Sequence, residues 1–309
     1  MLPGLALFYG GMTRSKSTLN MMMMVMGSLA VVGVLWVLFG YSLTFGEGGA
    51  WLGSFTQYLG LEGLMADDPA ATYPAMAFVA FQAMFASITV ALIAGAVADR
   101  TKFNAWLIFS GLWVTIVYFP VAHWVWASGG WIFEGLGPLN GTPAIDFAGG
   151  TAVHINAGVA GLALAMVIGK RLGWPKTPMK PHNLTLVMIG AGLLWFGWFG
   201  FNAGSALAAN NTSAVVFLNT FVATCAASLA WLLVERIRDG HATSLGAASG
   251  IVAGLVAITP SCSAVSPIGA ILIGIAAGVL CALAVGLKYK LKYDDSLDVV
   301  GVHLVGGVT

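Results

Sequence analysis

Residues 146–158 read DFAGGTAVHINAG and lead into the apolar run VAGLALAMVIG, which ends at residue 169. An aspartate opens the stretch, and a histidine follows eight positions later, its neighbours mostly glycine, alanine, valine and isoleucine. A run of this length and apolarity reads as a helix crossing a bilayer. An ionisable group at hydrocarbon depth is costly, and a chain that keeps one there is expected to use it.

The rest of the sequence supports that setting. Of its 309 residues 59% are hydrophobic and only 8% charged, and the mean hydropathy is +0.89. A soluble domain carries about 25% charged residues. The polar residues here are too few to cover a water-facing surface, which excludes a soluble enzyme or nucleic-acid-binding module. The 41 glycines fit helices that pack closely in lipid, where small residues let backbones approach. Cys225, Cys262 and Cys281 match neither a metal spacing nor a disulfide framework.

Apolar runs of spanning length fall at 19–45, 76–98, 104–126, 147–169, 184–208, 213–234, 244–259 and 266–287. A short run at 2–10 precedes them and another begins near 299, giving eight full spans and two partial ones. The basic residues test this numbering. Arg14 and Lys16 lie between runs one and two, and Arg100 and Lys102 between three and four. Lys170, Arg171, Lys176 and Lys180 separate five from six, Arg236 and Arg238 separate seven from eight, and Lys288, Lys290 and Lys292 separate nine from ten. All 13 Lys and Arg therefore occupy odd-to-even connections. The alternate connections hold Glu47, Glu62, Asp67, Asp68 and Glu134 and no basic residue. Under the positive-inside rule the N-terminus is outside and the basic loops face the cytoplasm. The longest loop, 46–75, is then external, and its apolar stretch WLGSFTQYLGLEGL is expected at the membrane surface.

Asp146 and Val153-His154 in run five have echoes in run ten, Asp298 and Val302-His303. With five runs per half, a second half repeats the first upside down, as in many transporters. His154 descends from the outer side and His303 from the cytoplasmic side, so both reach the membrane centre. Two facing imidazoles sharing a proton line a path suited to a small polar molecule. His182 and His241 lie in basic loops, and His123, in FPVAHWVW, reads as an ordinary polar residue at a helix end. Asp146 is placed to cap the first N–H groups of its helix, with a direct electrostatic role toward a cation as the alternative.

The third cluster is aromatic. In FVAFQAMF, Phe81 and Phe85 share one helix face at i, i+4. Trp126 ends run four on the outer side, and WFGWFGFNAGS in run six ends at Ser205. Such rings mostly pack or anchor a helix. Together, a tryptophan, a phenylalanine and a hydroxyl make a cage, since aromatic faces attract ammonium-like cations by up to about 2 kcal/mol when desolvated.

With these motifs in hand, the chain resembles the ammonium transporter family (the Amt, Mep and Rh proteins), on its bacterial Amt side. The motifs are PGLALFYGG (3–11), AFQAMFASITVALIAGA (80–96), DFAGGTAVHINAG (146–158), KPHN (180–183), GWFGFNAGSA (197–206) and DVVGVHLVGG (298–307). They run in the family's order over essentially the whole chain. The resemblance implies an all-α polytopic membrane protein with an inverted five-plus-five helix repeat, an outside N-terminus, and a homotrimer with one pore per subunit in the cell membrane. Against that pattern, residues 1–309 are expected to form a single, incomplete transmembrane domain with helix one partial, helix ten cut and helix eleven absent. It implies ammonium recruitment at Trp126, Phe85 and Ser205, a gate involving Phe81, Phe85 and Phe201 with Phe81 and Phe201 as the stacked pair, a pore lined by His154 and His303, and a structural or electrostatic Asp146. The resemblance further implies that ammonium loses its proton near the gate and ammonia passes the histidines, with methylammonium as an expected analogue. No enzymatic activity, cofactor, metal or nucleic acid is implied, and membrane lipid is the surrounding partner. In the family a PII-type regulator contacts the C-terminal tail, a segment expected to be absent from residues 1–309. Two other functions fit the same residues: an ammonium sensor of this fold, and a membrane redox protein with His154 and His303 as axial haem ligands.

Overall fold

The computed structural model describes residues 1–66 and 71–309 and is helical, with no strand among them. Asp67 and Asp68, two of the acidic loop residues in the charge map, lie outside the described residues. Ten helical segments follow in order: α1 (Leu2–Met12), α2 (Ser15–Phe45), α3 (Ala75–Val97), α4 (Phe103–Trp126), α5 (Gly150–Val167), α6 (Leu184–Gly204), α7 (Asn211–Asp239), α8 (Ser244–Ile258), α9 (Pro267–Leu291) and α10 (300–308). Seven of these, α2 to α7 and α9, are long and apolar enough to cross a membrane, and the protein is a multi-pass membrane protein. The sequence reading counted eight. The eighth, the run at 244–259, forms an apolar helix of 15 residues, below the length of the other seven. It is buried along most of its length, so protein rather than lipid surrounds it.

The packing follows the expected two halves. α2 lies against α3 and α4, and α7 lies against α8 and α9 in the same relation. α1 packs on α6, joining the halves, and α5 and α10 meet at the centre, against α3 and α8 respectively. The exposed surface of α2, α4, α6, α7 and α9 is studded with large apolar side chains such as Leu19, Ile116, Phe196 and Leu229, as a lipid-facing wall demands.

The two ends of the bundle are held differently. At the basic end, buried ion pairs knit the loops together. Arg171 makes a two-pronged contact with Asp294, with Nη2–Oδ1 at 2.7 Å and Nε–Oδ2 at 3.0 Å, while Arg14 Nε reaches Asp99 at 2.8 Å. Arg100 reaches the same Asp294 carboxylate at 3.5 Å. Burial works to raise the Asp294 pKa, but the hydrogen bonds and charge of Arg171 outweigh it and hold it below the usual carboxylate value. At the acidic end, His123 is fully buried rather than a surface residue of a helix end: Nδ1 lies 2.8 Å from the Thr44 carbonyl and Nε2 2.8 Å from that of Gly49. It fastens the loop after α2 onto α4. Trp51 and Phe55 of that loop are more than half exposed.

Candidate functional site

Three groups of side chains line up from the acidic end toward the middle of the bundle. The first surrounds a cavity of about 320 Å³. On α3, the i, i+4 spacing turns Phe81 and Phe85 to the same side, with ring centroids 4.9 Å apart and edge-on. The end of α4 supplies Trp126, whose indole N–H donates to the Asp146 carbonyl at 2.9 Å and so fixes the ring. That ring meets Phe85 edge-on at 5.5 Å. The end of α6 supplies Ser205, whose hydroxyl donates to the Phe201 carbonyl at 2.9 Å and leaves its oxygen lone pairs free. Trp126, Phe85, Ser205, Phe81 and Asp146 all line this one cavity.

The second group closes the cavity floor. Phe85 and Phe201 stack face to face, 3.9 Å apart at 15°, and are only 1% and 4% exposed. This corrects the expected pairing of Phe81 with Phe201. Phe81 sits one turn nearer the mouth than Phe85, and only Phe85 is level with Phe201. Phe85 therefore belongs to both the aromatic cage and the stack.

The third group is the histidine pair. His154 and His303 lie with ring planes 12° apart and their Nδ1 atoms 3.2 Å from each other, and both are buried. Two local features bring them together. Each sits in a widened π-helical turn, 150–155 in α5 and 300–304 in α10, a form concentrated at functional sites. The helices also cross at Gly158, where a Cβ would collide with the Leu304 backbone. His154 stacks on Trp198 at 5.2 Å and 11°. The Trp198 indole N–H donates to the hydroxyl of Thr259, the residue that ends α8, at 2.8 Å, so the end of α8 holds the ring that holds the histidine. In a neutral pair one Nδ1 carries the hydrogen and the other accepts it, which forces opposite tautomers on the two rings. One Nε2 is then a donor and the other an acceptor; that of His154 is buried without a partner among the described residues.

Asp146 governs the start of α5. Oδ1 accepts from the N–H groups of Gly149 (2.7 Å) and Gly150 (2.6 Å), and Oδ2 from those of Thr151 (2.8 Å) and Ala152 (3.0 Å). Four donors at a helix start are the ones left without intrahelical partners. The turn that wraps them round the carboxylate needs Gly149 at φ +110, a region that side-chained residues avoid.

The second half carries the same device one position set away from where the sequence placed it. Asp298 pairs with Lys288 at 2.6 Å instead of capping α10. The counterpart of Asp146 is Asp295, eight residues before His303 as Asp146 is before His154, and its Oδ2 accepts from Val300 N–H at 2.7 Å. The matched spacing was the available signal; the Val-His dipeptides drew the alignment to the nearer aspartate. Gln82 and Trp198 were also missed, although both lie inside stretches quoted for their neighbours.

Fold and site together describe a helical membrane protein of two inverted five-helix halves, with an aromatic cavity, a stacked pair and twin histidines in file along their seam. The chain belongs to the Ammonium Transporter Family, whose sequence model matches residues 1–309. It is 64% identical over 326 aligned residues to an ammonium transporter of Mycobacterium tuberculosis, a match covering 100% of this chain and 68% of that one. An ammonium transporter of Bacillus subtilis is 49% identical, covering 99% of this chain and 74% of its own. The crystal structure of Saccharomyces cerevisiae Mep2 superposes with a TM-score of 0.90 at 37% identity, over 99% of this chain and 70% of that one.

Proposed function

We propose that the protein carries ammonium nitrogen across the cell membrane as a channel-like transporter, in a homotrimer with one pore per subunit. The positive-inside pattern orients it with the N-terminus and the aromatic cavity outside. Ammonium is drawn into that cavity by the faces of Trp126 and Phe85 and by the Ser205 oxygen, which is free to accept an N–H. Passing the Phe85–Phe201 stack strips the remaining water. Carrying the charge through would cost several kcal/mol, whereas ammonia crosses neutral once its proton has passed to water in the outer cavity. The opposite tautomers of His154 and His303 then offer ammonia one donor and one acceptor. Potassium has no proton to give up, which supplies the discrimination; methylammonium, which has, follows the same route.

The observation that carries this reading is the order of the three groups along one line: cation-binding rings, closed stack, neutral histidine pair. The sensor reading is not favoured, since curated relatives at 64% and 49% identity are ammonium transporters. Expression in a yeast lacking its own ammonium transporters tests the proposal. Growth on low ammonium is expected, and its absence despite membrane expression would refute it.

A further inference from the structure

We propose that Gln82 is a further substrate-binding residue of the aromatic cavity, its amide oxygen accepting a hydrogen bond from the bound ammonium. The inference rests on the reading of that cavity as the ammonium site. Gln82 follows Phe81 on α3, lies one turn from Phe85, and lines the same cavity. It is only 8% exposed, and its Oε1 is buried with no hydrogen-bond partner among the described residues. Buried amide oxygens are ordinarily bonded, and an orphan one is unfavourable unless something else supplies the donor. No donor among the described residues anchors this oxygen, and χ3 of the side chain that lines the cavity is a soft torsion.

The acceptor inventory of the cavity shows why the substrate is the missing donor. Ammonium carries four N–H groups. The rings of Trp126 and Phe85 meet it with π faces, and Ser205 offers one hydroxyl oxygen. The Asp146 carboxylate is already engaged by four backbone N–H groups. The Gln82 oxygen is therefore the remaining uncommitted side-chain acceptor that this part of α3 contributes. A neutral amide also suits a site that must release its cargo, because it holds the cation by a dipole and not by a full opposite charge.

The test is ammonium transport by the purified protein in proteoliposomes, comparing wild type with Gln82→Leu, Gln82→Glu and Ser205→Ala. Gln82→Leu is expected to raise KM about fivefold or more with a smaller change in maximal rate, the effect of one lost hydrogen bond to a charged ligand. Gln82→Glu, which keeps the shape and adds a charge, is expected to lower KM and to slow maximal turnover. A KM in Gln82→Glu within twofold of wild type overturns the inference whether or not Gln82→Leu folds; so does an unchanged KM in a folded Gln82→Leu protein. If wild type itself moves no ammonium, the failure lies with the proposed function. If wild type transports and Ser205→Ala alone weakens KM, the failure lies with Gln82.

Discussion

Replacing Asp146 by alanine separates a structural carboxylate from a cation ligand. The side chain holds four backbone N–H groups at 2.6, 2.7, 2.8 and 3.0 Å, and the residue is 8% exposed. A hydrogen bond to a charged group contributes about 1.5–3 kcal/mol, and a buried donor left without a partner costs about 1–3 kcal/mol. Summing four overcounts, because they share two oxygens and some donors will find water. A loss on the order of 4 kcal/mol is a conservative figure, a large part of the 5–15 kcal/mol that typically holds a fold together. The expected result is a sharp fall in folded protein recovered from the membrane and a melting temperature lower by roughly 10 °C, read by fluorescence-detected gel filtration after heating. Asp146→Asn should fall between the two. One amide oxygen can still serve Gly149 and Gly150, but its NH2 then faces the Thr151 and Ala152 donors. An Asp146→Ala protein recovered in wild-type amount, melting within about 2 °C of wild type and yet unable to bind ammonium, would refute the reasoning and make the carboxylate a direct ligand.

Three further outcomes are expected. His154→Ala removes the partner of His303 Nδ1 and should cut ammonium flux in proteoliposomes about tenfold or more while gel filtration shows the assembly intact. Phe201→Ala removes the ring stacked 3.9 Å from Phe85 and should admit potassium, detected as a new potassium flux that wild type lacks. Burial, with the charge of Asp298 second, raises the Asp295 pKa to about 6. The folded protein therefore takes up a proton that the unfolded chain takes up only near 4. Stability should rise as pH falls from 7 to 5, and Asp295→Asn should remove that rise, as measured by melting temperature against pH.

The span pattern and the charge alternation were legible because hydropathy and loop charge are local, additive properties of the chain. Thirteen basic residues on alternate connections leave few other ways to thread the bundle. The participants of the site were legible for a similar reason: an aspartate, two histidines and a run of rings stand out against valine and alanine. Their partnerships were less so. Phe81 and Phe85 share one helix face, and only the depth at which α3 meets α6 decides which of them stacks on Phe201. Asp298 and Asp295 are both acidic residues ahead of the same histidine, and the turn of the backbone through 295–300 decides which one caps α10. Gln82 escaped notice because an amide among phenylalanines reads as a tolerated polar residue until its oxygen proves to have no partner.

The two halves use one device at two settings, and the difference follows from what each end faces. Asp146 and Asp295 both stand eight residues ahead of their histidine and both hold the N–H groups of a π-helical turn. Asp146 has both oxygens engaged and lines the cavity. Asp295 lies inside the ion-paired network of the basic end and leaves Oδ1 without a partner. A carboxylate beside a cavity for a cation would trap the cation if its lone pairs were free. Committing all of them to the backbone keeps the negative potential, which attracts the ion, and removes the contact that would retain it. At the basic end no cation is to be gathered, and the Lys288–Asp298 pair already balances charge there. The half-satisfied Asp295 then costs stability at neutral pH without disturbing transport. On this account the repeat is symmetric where the histidines must meet and unequal where the two sides of the membrane ask for different electrostatics.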